Sequence, residues 1–394
     1  VNLLALKYVS IIKISKYNQA MIRNIVVVFL LTLVACQTKV NKSKQHIVAY
    51  QTIDSLLAES IKEWNVPGMA VGIIVEDTLF LSKGYGYTSI NKSQLITDTT
   101  LFGIASLTKS FTALAIGIGQ KQNYLSINKP IKKYLPQFKT ANDSLTNQIT
   151  FVDALSHRTG FSTFSGDLSW YGSIKTKRQI IDVVKDIPLS FGVQKTYGYS
   201  NIMYLAAGLA LESSTNQNFE DFVCNNILSP LDMQFTTFNY TTSVCGDNIA
   251  IPHVSVENKN IPIDFVDWTN MSPSGGLFSN IQDLTKWARF QWKPNNKIID
   301  NDFLNYQHSI ITQQKLSWLD QLEQNSIKNK GYGLGWEIID YNDNKVIMHN
   351  GGLDGMISQI VIIPEKKTAF IILANSGSPL PVILGYEFLH RFLG

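Results

Sequence analysis

Apolar residues in this chain recur in two rhythms, and the rhythm changes along its length. Over residues 49–64 the positions Tyr50, Ile53, Leu56, Leu57, Ile61 and Trp64 fall at three- and four-residue intervals, which predicts a helix ended by Pro67-Gly68. Two compact apolar runs follow, Met69 to Val75 and Thr78 to Ser82. They are separated only by Glu76-Asp77, the signature of a β-hairpin. The middle of the chain returns to helical spacing at 106–119, 151–156, 178–185, 201–213 and 218–228, with polar or Pro/Gly-containing stretches between. Strand-like runs reappear at Val346–His349, Ile357–Ile363 and Thr368–Ala374, the last two joined by the turn Pro364-Glu365-Lys366-Lys367. Residues 381–393 predict a closing helix.

Strands and a helix at both ends, with helices between, imply one sheet assembled from the two ends of the chain. The expected fold class is therefore α+β, an α/β sandwich. An antiparallel sheet from about 49–100 and 285–394 is flanked by helices, and a mainly helical region of about 101–284 is inserted. The stretches 159–178 and 235–275 are long for connections, and loops of that length tend to line a cleft.

Composition changes this picture only at the N-terminus. Hydrophobic residues make up 45% of the 394 and charged residues 16%, enough apolar matter for a sizeable core. The net charge of +4 is a property of the leader: Lys7, Lys13, Lys16 and Arg23 precede residue 36 with no acid among them, and without them each sign numbers 30. No basic stripe interleaved with aromatics runs through the remainder, so nucleic acid is not an expected partner. Met21-Ile22-Arg23-Asn24 reads as a positive n-region, and Ile25–Val34 as an apolar run too short to span a bilayer. Leu33-Val34-Ala35-Cys36 resembles a bacterial lipoprotein signal, with Cys36 the lipidated residue. On this reading translation starts at Met21, residues 1–36 are upstream sequence and signal, and 37–48 form a polar tether. The domain at 49–394 is then held at the cell envelope by a membrane lipid anchor. Of the other two cysteines, Cys224 and Cys245, pairing and free thiols are both open. No Cys/His spacing suits zinc, and no metal or cofactor is expected.

Three short motifs carry candidate chemistry. Ser106-Leu107-Thr108-Lys109 places a hydroxyl and an amine at i and i+3, on one helix face. The pattern also occurs at Ser10–Lys13, Ser89–Lys92 and Ser126–Lys129, but only the match at 106 opens a long apolar helix, where burial would lower a lysine pKa. Tyr199-Ser200-Asn201 stands where a polar segment meets an apolar helix; a phenol and an amide there suit proton transfer and carbonyl contact, or simply cap the helix. His349-Asn350-Gly351-Gly352 ends a strand, where glycines allow close approach and a free N–H can stabilise an oxyanion, or where the chain simply turns. There is no Gly-x-Ser-x-Gly elbow and no His-Glu-x-x-His.

In order and spacing, these three motifs together resemble those of the serine β-lactamase/penicillin-binding superfamily, specifically its class C-like branch of DD-peptidases, esterases and D-amino-acid peptidases. Leu155-Ser156-His157-Arg158-Thr159-Gly160-Phe161, Pro230-Leu231-Asp232-Met233, Ser274-Gly275-Gly276-Leu277-Phe278-Ser279 and Gly331-Tyr332-Gly333-Leu334-Gly335-Trp336 extend the similarity over about residues 50–385. The resemblance implies that Ser106 is the acylated nucleophile, Lys109 its proton acceptor or electrostatic activator and Tyr199 the general base. It also implies that Asn201, His349, Asn350 and Gly351 border the substrate, with the N–H groups of Ser106 and Gly352 as oxyanion hole. The third motif departs from the Lys-Thr-Gly or Lys-Ser-Gly usual in β-lactamases of the branch. Histidine is a cation only when protonated, which favours an ester or a D-amino-acid peptide or amide over a β-lactam. Two readings follow: an acyl-transfer hydrolase acting on a small-molecule or peptide substrate, or a penicillin-binding sensor that is acylated without turnover.

Overall fold

The computed structural model describes residues 42–240 and 246–394. Cys36 and Cys245 therefore lie outside the described residues, while Cys224 is an exposed free thiol. The chain divides into two units, Val1–Thr52 and Ile53–Gly394. The described part of the first unit is helical.

The first helix, α1, covers Lys42–Glu63. It begins earlier than apolar spacing suggests. The hairpin follows as β1 (Gly68–Val75) and β2 (Thr78–Gly86). Glu76 and Asp77 turn it with φ of 49° and 65°, the type I′ geometry that matches strand twist. Short strands come next: β3 (Phe102–Gly103) pairs with β6 (Phe278–Ser279), and β4 (His253–Val256) with β5 (Lys259–Pro262). The C-terminal third supplies β7 (Thr312–Gln313), β8 (Ile327–Tyr332), β9 (Glu337–Tyr341), β10 (Asn344–Leu353), β11 (Met356–Ile363) and β12 (Thr368–Ala374).

Eight of these strands form one sheet in the order β2-β1-β12-β11-β10-β9-β8-β7, every neighbour antiparallel. Met69 pairs with Ala374, so the hairpin near the start of the domain docks on the last strand. The fold is thus α+β, with an antiparallel sheet from both ends of the chain and helices on both faces.

Side-chain alternation sorts the sheet into two cores. Met69, Val71 and Ile73 point to an outer layer with Leu57 and Ile61 of α1 and Leu380, Leu384 and Leu389 of the closing helix. Ala70, Ile74, Ile360 and Ile371 point to an inner layer that also holds the inserted helices. Among those helices are α2 (Thr108–Lys121), α3 (Phe151–Leu155), α4 (Asn201–Thr215), α5 (Ser272–Gly275) and α6 (Ile281–Phe290); the chain closes with α7 (Leu380–Leu393). Helix α6 was not expected from apolar spacing. Asn280 caps it by accepting from the Asp283 N–H, and Ile281, Leu284, Trp287 and Ala288 form its buried face. Among the described residues no helix is long and apolar enough to cross a membrane.

Candidate active site

The site lies where the inserted helices meet β10, and it begins with a strained turn. Ala105 adopts φ of 49°, a left-handed conformation that costs a residue with a Cβ roughly 1–2 kcal/mol. The next residue is Ser106, in a single 3-10 turn (Ala105–Leu107) that feeds α2. Four contacts hold this turn. The Ile104 carbonyl accepts from Ser358 Oγ of β11 at 2.8 Å, and the Ile104 N–H donates to the Leu277 carbonyl at 2.9 Å. Behind it, Thr112 Oγ1 donates to the Pro273 carbonyl at 2.6 Å, and the Leu277 N–H to Thr108 Oγ1 at 3.2 Å.

Lys109 is fully buried in α2. Its Nζ lies 3.0 Å from Ser106 Oγ and donates to the Ser274 carbonyl at 2.7 Å. Among the described residues no carboxylate pairs with it. Burial lowers its pKa to about 7, with Asp167 pulling weakly the other way. A neutral amine in this position donates one N–H to Ser274 and turns its lone pair toward the Ser106 hydroxyl. Serine 274 acts here through its backbone oxygen, which side-chain chemistry does not advertise.

Tyr199 covers the same corner. Lys109 Nζ stands 4.9 Å from the centre of its ring. Burial raises the phenol pKa, the neighbouring Ser106 hydroxyl opposes this, and Glu337 and Asp167 add to the rise, so at neutral pH the phenol keeps its proton. Under Tyr199 lies His157, 4.2 Å away between ring centres. His157 Nδ1 accepts from the Ser200 N–H at 3.0 Å, which fixes how the Tyr199–Asn201 segment enters α4. Ser200 occupies the N-cap position without making a side-chain cap bond, and Asn201 donates instead to Asp167 Oδ2 at 2.8 Å. Asn201 Oδ1 is buried with no partner.

The opposite wall is β10. Past Met348 this strand has no β9 partner and pairs only with β11, leaving an edge toward the Ser106 turn. His349 is buried, and its Nδ1 lies 2.6 Å from the Asn350 carbonyl and its Nε2 2.7 Å from Tyr332 Oη. A carbonyl only accepts, so Nδ1 carries the proton and Nε2 accepts from the Tyr332 hydroxyl. Burial, helped by the charge of Lys109, lowers the His349 pKa to about 3. The ring is therefore neutral across the physiological range. Asn350 is exposed. A Cβ on Gly351 would come within 2.2 Å of the Ile104 carbonyl and 3.0 Å of Ala105 Cβ. The sequence suggested that this glycine admits a substrate; in the structure it serves the close packing of β10 on the Ser106 turn. At Gly352 a Cβ would meet nothing closer than 3.5 Å.

The structure thus gathers Ser106, Lys109, Tyr199, Asn201 and His349 where the Gly351-Gly352 end of β10 packs on the Ser106 turn. Of the rival Ser-x-x-Lys matches, Ser89–Lys92 and Ser126–Lys129 lie outside helices, and Ser10–Lys13 falls outside the described residues. A model of the Beta-lactamase family matches residues 53–385. The chain belongs to the Beta-lactamase family.

Protein flp of Staphylococcus aureus (strain COL) is 27% identical over 339 residues, covering 83% of this chain and 63% of that protein. The Unguisins hydrolase ungD' of Aspergillus campestris (strain IBT 28561) is also 27% identical, over 340 residues, covering 83% of this chain and 61% of its own length. This chain therefore spans somewhat less than two thirds of either relative. The octameric penicillin-binding protein homologue from Pyrococcus abyssi superposes with a TM-score of 0.77 at 23% identity, covering 87% of this chain and 77% of the other.

The structure adds residues to the site that motif spacing did not single out. Asp167 and Trp170 come from the long 159–178 loop, and Tyr171 of the same loop hydrogen-bonds Asp354 in the β10–β11 turn. Tyr332 and His157 sit in segments whose similarity had been noted without a role for either side chain. The loop's length was the one signal pointing toward Asp167.

Proposed function

We propose that this chain is a serine hydrolase that works through an acyl-Ser106 intermediate on an ester, a D-amino-acid peptide or an amide. The observation that carries this reading is the Lys109 amine. It is buried, within hydrogen-bond reach of Ser106 Oγ, and has a pKa near neutrality. Ser106 Oγ attacks the substrate carbonyl and its proton passes to neutral Lys109. The protonated phenol of Tyr199 then hands a proton to the leaving group as the carbonyl–heteroatom bond breaks, and is reprotonated from Lys109. This assigns Tyr199 a relay in place of the phenolate base that family resemblance implied, because a buried phenol with a raised pKa is a poor resting base. Water cleaves the acyl-enzyme by the reverse sequence. The N–H groups of Ser106 and Gly352 stabilise the oxyanion from the turn and from the free edge of β10.

The substrate is read from charge. With His349 neutral, the site lacks the standing cation that a β-lactam carboxylate would seek, which favours neutral esters and peptides. One relative is named a hydrolase, which supports hydrolytic turnover in general. We further propose that Cys36 is lipidated and holds the enzyme at the cell envelope; a Cys36→Ser chain released from membranes would support this, and one that stays bound would refute it.

The test is a panel of a p-nitrophenyl ester, a D-Ala-D-Ala peptide and a chromogenic cephalosporin with wild type and Ser106→Ala. Turnover of the ester or peptide above the cephalosporin, lost in the variant, is expected. Unchanged turnover in Ser106→Ala contradicts the nucleophile. A persistent adduct on Ser106 without turnover would favour the acylated sensor.

A further inference from the structure

Asp167 is a carboxylate facing the site without a counter-ion. It begins a 3-10 turn (Asp167–Ser169) in the 159–178 loop, just after Gly166, and is only partly covered. Both oxygens are oriented by neutral donors. Asn201 Nδ2 donates to Oδ2 at 2.8 Å, and the indole Nε1 of buried Trp170 donates to Oδ1 at 3.0 Å. Two such bonds aim a carboxylate but bring no positive charge, and among the described residues none forms an ion pair with it. Of the described amines around it, Lys109 is committed to Ser106 and Ser274, and Lys175 Nζ donates to the Ser169 carbonyl of the same turn at 3.0 Å.

A carboxylate partly withdrawn from water without a cation carries a share of its desolvation cost, and proteins usually pair it. Here the neighbouring elements offer no pair. The α4 start gives Asn201, β10 gives neutral His349, and the loop itself gives Trp170. Asp167 stands beside the proposed substrate contact, because it accepts from Asn201. The Tyr171–Asp354 bond also ties its loop across to the β10–β11 turn. We propose that Asp167 is a binding subsite for a substrate ammonium group, so that this enzyme acts on aminoacyl esters or amides with a free amine beside the scissile carbonyl. The inference rests on the hydrolase reading above. The raised pKa of Asp167, caused mainly by burial, agrees with a carboxylate that lacks its partner. The same charge disfavours acyl groups that carry their own carboxylate, which extends the argument made from His349.

Three p-nitroanilides of D-alanine test this: the free amine, the N-acetyl form and the N-succinyl form, which are cationic, neutral and anionic near one carbonyl. Wild type is expected to prefer the free amine over the acetyl form by about tenfold or more in kcat/KM, chiefly through KM, and to use the succinyl form least. Asp167→Asn should collapse the amine-to-acetyl ratio to within about threefold, and Asp167→Glu, which keeps the charge, should retain part of it. An equal loss on all three probes in Asp167→Asn would mean that Asp167 only positions Asn201, and would overturn the subsite. A wild type that prefers the acetyl or succinyl form overturns it without any variant. If no probe is turned over and the p-nitrophenyl ester is also untouched, the hydrolase reading falls and the subsite with it. Turnover of the ester with no preference for the amine removes the subsite alone.

Discussion

Two buried lysines in this molecule have been given opposite characters by their surroundings. Lys109 sits between the sheet and the inserted helices, bonded to a hydroxyl and a carbonyl, and its pKa falls to about 7. Lys330 of β8 is also buried, but it faces Asp320 at 2.7 Å and Glu337 at 3.5 Å. Burial alone would lower the Lys330 pKa, yet the two carboxylates outweigh it and hold the pKa above the ordinary value. Tyr386 of α7 completes that second cluster by donating to Asp320 Oδ1 at 2.6 Å, which ties the closing helix to the sheet. The depth of burial is similar; the counter-charge is what differs. An amine denied a carboxylate becomes a base near neutral pH, and one given two becomes a permanent structural cation.

The largest effect should come from exchanging either lysine for methionine. Lys109→Met is expected to lower kcat/KM on the p-nitrophenyl ester by at least about 10³-fold. It should leave the melting temperature at pH 7 unchanged or higher, since an unpaired buried amine destabilises the fold. Lys330→Met should do the reverse. Activity per folded molecule stays within severalfold, while removing one partner of a buried pair costs about 3–5 kcal/mol in denaturant titration. If both variants lose stability alike and neither loses activity, the contrast is false.

The pH dependence of stability separates the two lysines by sign. The folded pKa of Lys109 is below its unfolded value, so the unfolded chain binds more protons between about 7 and 10.5, and its contribution makes stability rise with pH over that window. The folded pKa of Lys330 is raised, so its contribution is complete below the unfolded value and is lost as pH rises through the folded one. Melting curves from pH 7 to 10 on wild type and Lys109→Met should therefore differ in slope, with the variant flatter. Equal slopes would mean that Lys109 titrates normally.

Smaller changes should tune the Lys109 pocket without destroying it. Gly351→Ala forces β10 away from Ile104, at about 1–3 kcal/mol of overpacking. Water admitted beside Lys109 should then move the inflection of its pH–rate profile upward. Asp167→Asn removes the one carboxylate that raises the Lys109 pKa, so with the N-acetyl anilide the inflection should move downward. Shifts in the same direction would show that the pocket is not tuned in this way.

How far the sequence foretold these pockets depends on what each is made of. Ser106, Lys109 and His349 were legible because each stands at the start of an apolar helix or the end of an apolar strand. The hairpin around Glu76-Asp77 and strands β10 to β12 were legible as continuous apolar runs, and β1, β11 and β12 are buried along nearly their whole length. Strand β8 was not: Lys328, Asn329 and Lys330 interrupt its apolar pattern, and Lys330 is buried only because Asp320 and Glu337 meet it in three dimensions. Strand β9 is five residues long and begins and nearly ends on an acid. Helix α6 carried a readable signal in Asn280 and the Ile281, Leu284, Ala288 spacing, but it is short and follows a glycine-rich segment. Asp167 stood in a loop without motif or period, and the Ser274 carbonyl has no side-chain signature. The pattern of side chains gives the positions of Ser106 and Lys109, while the surroundings that set the Lys109 pKa come from residues brought close only by the fold.

The most direct test is the rate of the acylation burst on the p-nitrophenyl ester across pH 5–9, with the adduct located by peptide mass spectrometry. The account predicts one equivalent of p-nitrophenolate, an acyl group on the Ser106 peptide, no burst in Ser106→Ala, and a rate that climbs with pH to a single inflection near 7. A burst that survives in Ser106→Ala, or a rate still climbing at pH 9 as an ordinary lysine would require, would contradict it.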